Sequence, residues 1–165
     1  MTIWPNYTAT KIRGVEPGMI VLVQVDNRLR PCLIIGPGKD GRDNKFVMQL
    51  FDRFHIFNMD DYTKPPAVVV IPENEWRFSL VNKLTPRLED HTEDTPPGKL
   101  LLHSRGRFIA ARAVDSQTRM ESSVAVNLDA NYIVDYADSF DGRNCFVFDW
   151  VIEIRLSHNE AWEAI

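Results

Sequence analysis

No G-x-S-x-G, G-K-[ST], H-E-x-x-H or paired C-x-x-C occurs in the 165 residues of this chain. Those spacings place a nucleophile on a strained turn, a phosphate against backbone amides or a zinc ion between imidazoles, so the commonest hydrolase, nucleotidase and metalloprotease chemistries have no foothold. Positive charge is also short: 19 basic against 23 acidic side chains leave a net charge of −4 and a pI near 5.5. A phosphate backbone is bound by releasing its counterions to a basic surface, so nucleic acid would need a local patch. Cysteine is scarce. Cys32 and Cys145 both sit inside apolar runs, where an unpaired thiol packs as a small hydrophobe; the expectation is a reduced, structural pair of thiols. No run approaches the ~20 apolar residues of a membrane span, and the opening M-T-I-W-P-N-Y has neither a basic nor an apolar leader segment. The expected location is the cytoplasm, away from membranes.

What the chain does have is material for a core. Apolar residues make up 44% and charged residues 25%, the balance of a folded globular protein. The length suits one domain, or two small lobes sharing a core. The firmest pattern is Cys145 to Leu156, C-F-V-F-D-W-V-I-E-I-R-L, where Phe146, Phe148, Trp150, Ile152, Ile154 and Leu156 fall on one side and mixed residues on the other. A period of two means a β-strand with one buried face. Fully extended it would reach ~40 Å, about twice the usual strand, so it should bend or serve two sheets.

Met19–Val25 and Pro31–Ile35 read as an antiparallel hairpin over a tight Asp26–Leu29 link, followed by strands at Phe46–Phe51 and Ala67–Ile71. Asp52–Pro66, with Phe54, His55, Ile56 and Phe57, has no clear period. From Glu73 to Leu84 the spacing of Trp76, Leu80 and Leu84 favours a short helix, with early acids and a late lysine suiting the helix dipole. Thr85–Gly98, T-P-R-L-E-D-H-T-E-D-T-P-P-G, can bury little and should be a long exposed acidic loop. It divides the chain into residues 1–84 and 99–165. Beyond it Lys99–His103, Phe108–Val114, Ser123–Leu128 and Tyr132–Tyr136 read as strands, although 105–119 could also wind as a helix. Ser157 and Glu160 match a capping box, predicting a short C-terminal helix that must dock on something. Asp-Gly-Arg occurs at Asp40 and again at Asp141; similar turns select similar residues, so convergence explains the match.

His55, Asp60 and Asp61 could be drawn as metal ligands, but their spacing fits no zinc or calcium loop, and a solvated acidic turn is the simpler reading. No catalytic residue, metal or cofactor is assigned. The basic residues that concentrate after the loop, Lys99, Arg105, Arg107 and Arg112, are the candidate binding residues, since alternating arginines on a strand can face an acidic partner. Trp162 and Ile165 are candidate interface anchors at the carboxyl terminus.

Pro17–Gly36, P-G-M-I-V-L-V-Q-V-D-N-R-L-R-P-C-L-I-I-G, resembles the opening hairpin of the MazF/PemK toxin family: a Pro-Gly turn, an apolar strand, and an Arg-Pro leading into a second apolar strand. The resemblance implies an SH3-like barrel and an RNA-binding or endoribonuclease activity to which Arg30 would contribute. The family's third-strand threonine has no counterpart in Phe46–Leu50, which implies a degenerate active site. The fold expected from the residues and the resemblance together is mainly β: eight to ten antiparallel strands in an SH3-like barrel or sandwich, with a short C-terminal helix. The leading expectation for function is a non-catalytic interaction module whose partner is a protein. An RNA-binding protein or nuclease is the alternative, and self-association is compatible with either.

Overall fold

The computed structural model describes residues 8–36, 45–61, 66–81, 87–88, 96–135, 146–155 and 161–165. The protein is mainly β, and the described strands form two sheets. In the first half β1 (Thr8–Lys11), β2 (Ile20–Val25), β3 (Arg28–Ile35), β4 (Phe46–Gln49), β5 (His55–Asn58) and β6 (Ala67–Ile71) lie side by side in the order β1-β6-β2-β3-β4-β5, every pair antiparallel. The β2–β3 link is the two-residue turn Asp26-Asn27 with φ of 48° and 60°, the double positive φ that matches the twist of a hairpin. A 3-10 turn, Met59–Asp61, precedes β6.

The second half repeats this plan. β8 (Arg87–Leu88), β9 (Leu100–His103), β10 (Gly106–Val114), β11 (Glu121–Asn127), β12 (Tyr132–Asp135) and β13 (Phe146–Phe148) pair in the corresponding way: β9-β10-β11-β12 as a meander, with β13 returning to β9 and β8 beyond it. The halves meet where β5 runs parallel to β10, at Arg112↔His55 and Ala113↔Ile56. A second, three-stranded sheet joins one strand from each half, β7 (Trp76–Leu80) and β14 (Trp150–Ile154), with β15 (Glu163–Ala164) on the far side of β14.

Matching hydrogen bonds make the repetition explicit. Gly18 N–H donates to the Ile34 carbonyl (2.8 Å) and Ile34 N–H to Met19 (3.0 Å); in the second half Gly98 donates to Ala110 (2.7 Å) and Ala110 to Lys99 (3.0 Å). Each half then clasps the other: Gly36 N–H donates to Asn131 (2.7 Å), and Arg112 N–H to Phe54 (3.2 Å). Asn131 and Phe54 both have φ of 53°. They press on equivalent glycines, both at φ +90°: a Cβ on Gly18 would sit 2.5 Å from Asn131, and one on Gly98 2.3 Å from the Phe54 ring. Glycine is required there for its backbone and for its missing side chain. The Asp-Gly-Arg match is a different matter, because Asp40 falls between β3 and β4 while Asp141 falls between β12 and β13. Convergence accounts for that turn. The repeated Pro17-Gly18 and Pro97-Gly98 carry the true correspondence.

The alternation within each strand sorts side chains onto three clusters. Ile20, Leu22, Leu33, Ile35, Met48 and Ile56 from the first half join Leu100, Ile109, Ala111, Val124 and Val126 from the second in one core, closed by Ile152 and Ile154 of the smaller sheet. The opposite face of the large sheet carries one cluster in each half, around Val21, Cys32, Ile34 and Val47, and around Leu101, Phe108, Ala110 and Ala125.

Several expectations change. The long C-terminal pattern is interrupted at Asp149, so β13 serves the large sheet and β14 the small one. Residues 73–81 do not wind as an α-helix; Glu73–Glu75 is a 3-10 turn and Trp76–Leu80 a strand, because pairing with β14 buries Trp76 and Phe78 on the core, and residues 82–84 lie outside the described residues. Residues 106–114, where helix and strand competed, are strand. The short C-terminal helix is not found: residues 161–165 are extended, with Glu163↔Ile154 and Ala164↔Glu153 in register and Ile165 N–H on the Ile152 carbonyl (3.1 Å). Strand pairing supplies partners that an isolated helical turn would lack. Residues 157–160, most of the acidic loop, and Cys145 lie outside the described residues. Among the described residues the sheets are not closed into a barrel, and fifteen strands appear because short ones such as β1, β5, β8 and β15 carry too few residues for a readable period.

Candidate functional site

The seam between the halves is where polar side chains gather. On the face of the large sheet turned away from the smaller one, His55 of β5, Arg112 of β10 and Ser123 of β11 form a row across three paired strands. One step along, Val114 stands opposite Glu121, and Phe57 shares the face of His55 because side chains alternate. His55 Nε2 lies 3.0 Å from Glu121 Oε1. Arg53 Nη1 approaches the same oxygen at 3.7 Å from a side chain that is 74% exposed. Partly buried Arg112 donates through Nη1 to the Ser123 hydroxyl, and Phe57 meets the His55 ring edge-on at 5.9 Å.

A cavity of about 330 Å³ opens beside this row, lined by Phe57, Asp61, Val114, Ser116 and Arg119. Across the sheet lies a second, of about 210 Å³, reaching Phe46, Ile56 and Ile133.

Comparison with protein-family models, with curated proteins and with solved structures finds no match.

The basic residues named from the sequence do not converge. Lys99 Nζ pairs with Asp149 Oδ1. Arg107 grips Asp129 Oδ1 with Nε (2.8 Å) and Nη2 (2.6 Å), and its backbone N–H donates to Oδ2 (2.8 Å); these bonds hold the Asp129 carboxyl below the ordinary carboxylate range. Arg105 lies in the β9–β10 turn, where its N–H donates to His103 Nδ1 (3.1 Å). Arg112 is ~17 Å further along β10 than Arg107 and on its other face, so no single basic platform forms. Only Arg112 belongs to the seam.

Trp162 is half-buried on the outer face of the small sheet, between Arg77 and Arg155, whose guanidinium carbons stand 4.3 and 4.8 Å from its ring centre. Beneath it Glu153 accepts from the Ser79 hydroxyl (2.6 Å) and Arg77 Nε (2.6 Å), bonds that lower its pKa. Arg155 Nε donates to buried Glu75 (2.8 Å). Trp162 therefore docks on its own chain, whereas Ile165 remains 48% exposed. Arg30 stands on β3 with its guanidinium 5.3 Å from the Phe51 ring centre.

Gly36-Pro37-Gly38-Lys39-Asp40-Gly41 has the G-x-G-x-x-G spacing of a dinucleotide-binding turn. Residues 37–41 of it lie outside the described residues, and the strands on either side, β3 and β4, pair antiparallel, whereas the fingerprint belongs to a parallel βαβ unit. His55 bonds to Glu121 instead of joining Asp60 and Asp61, and among the described residues no three His, Cys, Asp or Glu side chains converge as metal ligands. Sequence reasoning missed Arg53, Phe57, Glu121 and Ser123. The available signal was the alternation His55-x-Phe57, too short to separate from the irregular text around it.

Proposed function

We propose that the protein is a non-catalytic interaction module that accepts an extended segment of a protein partner along β7. One observation carries this reading. Glu75 and Val81 exchange backbone hydrogen bonds with β14, through Arg155 N–H to the Glu75 carbonyl (3.0 Å) and Val81 N–H to the Asp149 carbonyl (3.0 Å). Antiparallel pairing alternates, so the backbone groups of Trp76, Phe78 and Leu80 point away from β14 toward an edge that no described strand covers. Leu80 and Val81 are 37% and 54% exposed at its end. An edge with outward amides and apolar side chains is the template for strand addition. Each half also runs as a four-strand meander with a fifth strand returning to the first, preceded in the first half by a 3-10 turn, an order that supports an SH3-like reading. We read the chain as two such open units fused.

Capture from a native extract tests the proposal, with a Leu80→Lys/Val81→Lys variant alongside. A protein retained by the natural chain and lost by the variant, at unchanged melting temperature, is the expected result. Retention by both would overturn strand addition at β7. Dimers that the variant abolishes would identify the added strand as a second copy. Mixed RNA shifted at low salt and released as salt rises, equally by both proteins, would favour the RNA-binding alternative.

A further inference from the structure

We propose that Arg112 anchors a binding site for a small oxyanion, a phosphate or carboxylate on a compact apolar body, at the seam between the halves. This rests on a different face from β7 and stands independently of the interaction reading. Arg112 is partly buried, and the described partner of its guanidinium is a neutral hydroxyl, Ser123 Oγ. A partly desolvated guanidinium ordinarily has a carboxylate, because a buried charge without a counter-charge is costly. Glu121, on the same face of the neighbouring strand, is engaged by His55 and Arg53. Arg119 lines the adjoining cavity from a backbone at φ 61°. Arg53 and Arg119 thus bring two further guanidiniums to the seam: Arg53 approaches Glu121, and Arg119 lines the cavity that Asp61 also lines.

The internal repetition argues against a purely architectural role for these charges. Phe54 corresponds to Asn131 and the Arg112 amide to that of Gly36, so the positions matching His55 and Arg112 at the opposite seam are Tyr132 and Gly36. Neither of those two described positions carries a histidine or an arginine, and the charged set is an addition to one side of a duplicated frame. Its geometry suits a planar fork receiving two oxygens. The Phe57 ring and Val114, one step along the same face, would cover the apolar body.

Titration of the full chain with inorganic phosphate, phenyl phosphate and benzoate, followed by amide and side-chain NMR shifts, tests the site. The expected result is saturable shifts at His55, Phe57 and Arg112 with at least one of the aromatic anions, weakened tenfold or more in Arg112→Gln and only partly restored in Arg112→Lys, which keeps the charge and loses the fork. Response to phenyl phosphate alone names phosphate as the group recognised; response to benzoate alone names carboxylate. Absence of saturable shifts with all three, or equal binding by Arg112→Gln, overturns the proposal. Should Arg112→Gln fail to fold, exposed Arg119→Gln is judged by a threefold or greater weakening, and undiminished binding by it counts against the site.

Discussion

Replacing Gly98 by alanine should be among the most damaging small substitutions in the protein. Gly98 has φ +90°, where an L side chain carries backbone strain of about 1–3 kcal/mol. The new Cβ would fall 2.3, 2.6 and 2.8 Å from three carbons of the Phe54 ring. That ring cannot swing away freely, because it meets Trp150 edge-on at 5.9 Å and packs on the shared core. Overpacking of this kind costs about 1–3 kcal/mol, so the total should be about 2–6 kcal/mol, a large share of the stability of an ordinary domain. Urea denaturation reads this as a lower midpoint at unchanged slope. Gly98→Ala combined with Phe54→Ala separates the two causes, since removing the ring relieves the clash and leaves the backbone strain. The double variant should therefore be more stable than the sum of the singles predicts, by about 1–3 kcal/mol. Gly18→Ala, which presses on the end of the Asn131 amide, should cost less. A loss under about 0.5 kcal/mol for Gly98→Ala, or strict additivity in the cycle, would refute the clasp between the halves.

The small sheet offers a paired test. Trp150 Nε1 donates to the Gly98 carbonyl (2.6 Å), whereas Trp76 Nε1, at the matching place on β7, is buried without an acceptor among the described residues; Trp150→Phe should cost about 1 kcal/mol more than Trp76→Phe in the same denaturation assay. Cys32 is buried and its thiol is pushed up to about 12 by desolvation, so it should stay unmodified by an aromatic disulfide reagent until urea unfolds the protein. The Arg107 bonds depress the folded pKa of Asp129. A depressed carboxylate contributes stability that is full above its unfolded pKa of about 4 and is lost as pH falls through the lower folded value. Asp129→Asn should lower stability at pH 7 and flatten the decline between pH 4 and 2, as read by midpoints across pH.

The legible part of the fold was the part written in local pattern. Ala67–Ile71 is a strand over the span its apolar run suggests, and the Cys145–Leu156 alternation does serve two sheets, with Asp149 at the crossing. Trp76–Leu80 fits helical and strand spacing equally well; what decides it is β14, seventy or more residues away. At the carboxyl terminus, where a capping signature suggested a helix, residues 163–164 pair with β14 as strand. The duplication was hidden because the repeated units share topology and two Pro-Gly turns but little other text. The seam was half-visible. Arg112 stood out by charge, but its neighbours His55, Ser123 and Glu121 come from separate strands, and a parallel pair such as β5 with β10 leaves no local trace.

Amide hydrogen exchange along β7 tests the account of the open edge most directly. Arg77 and Ser79 sit in hydrogen-bonded pairs with β14, and Val81 donates to Asp149, so their amides should be protected. The Phe78 and Leu80 amides should exchange at least tenfold faster, because they point toward the uncovered edge. Equal, strong protection of all five would mean that the edge is already occupied within the chain, and strand addition at β7 would be contradicted.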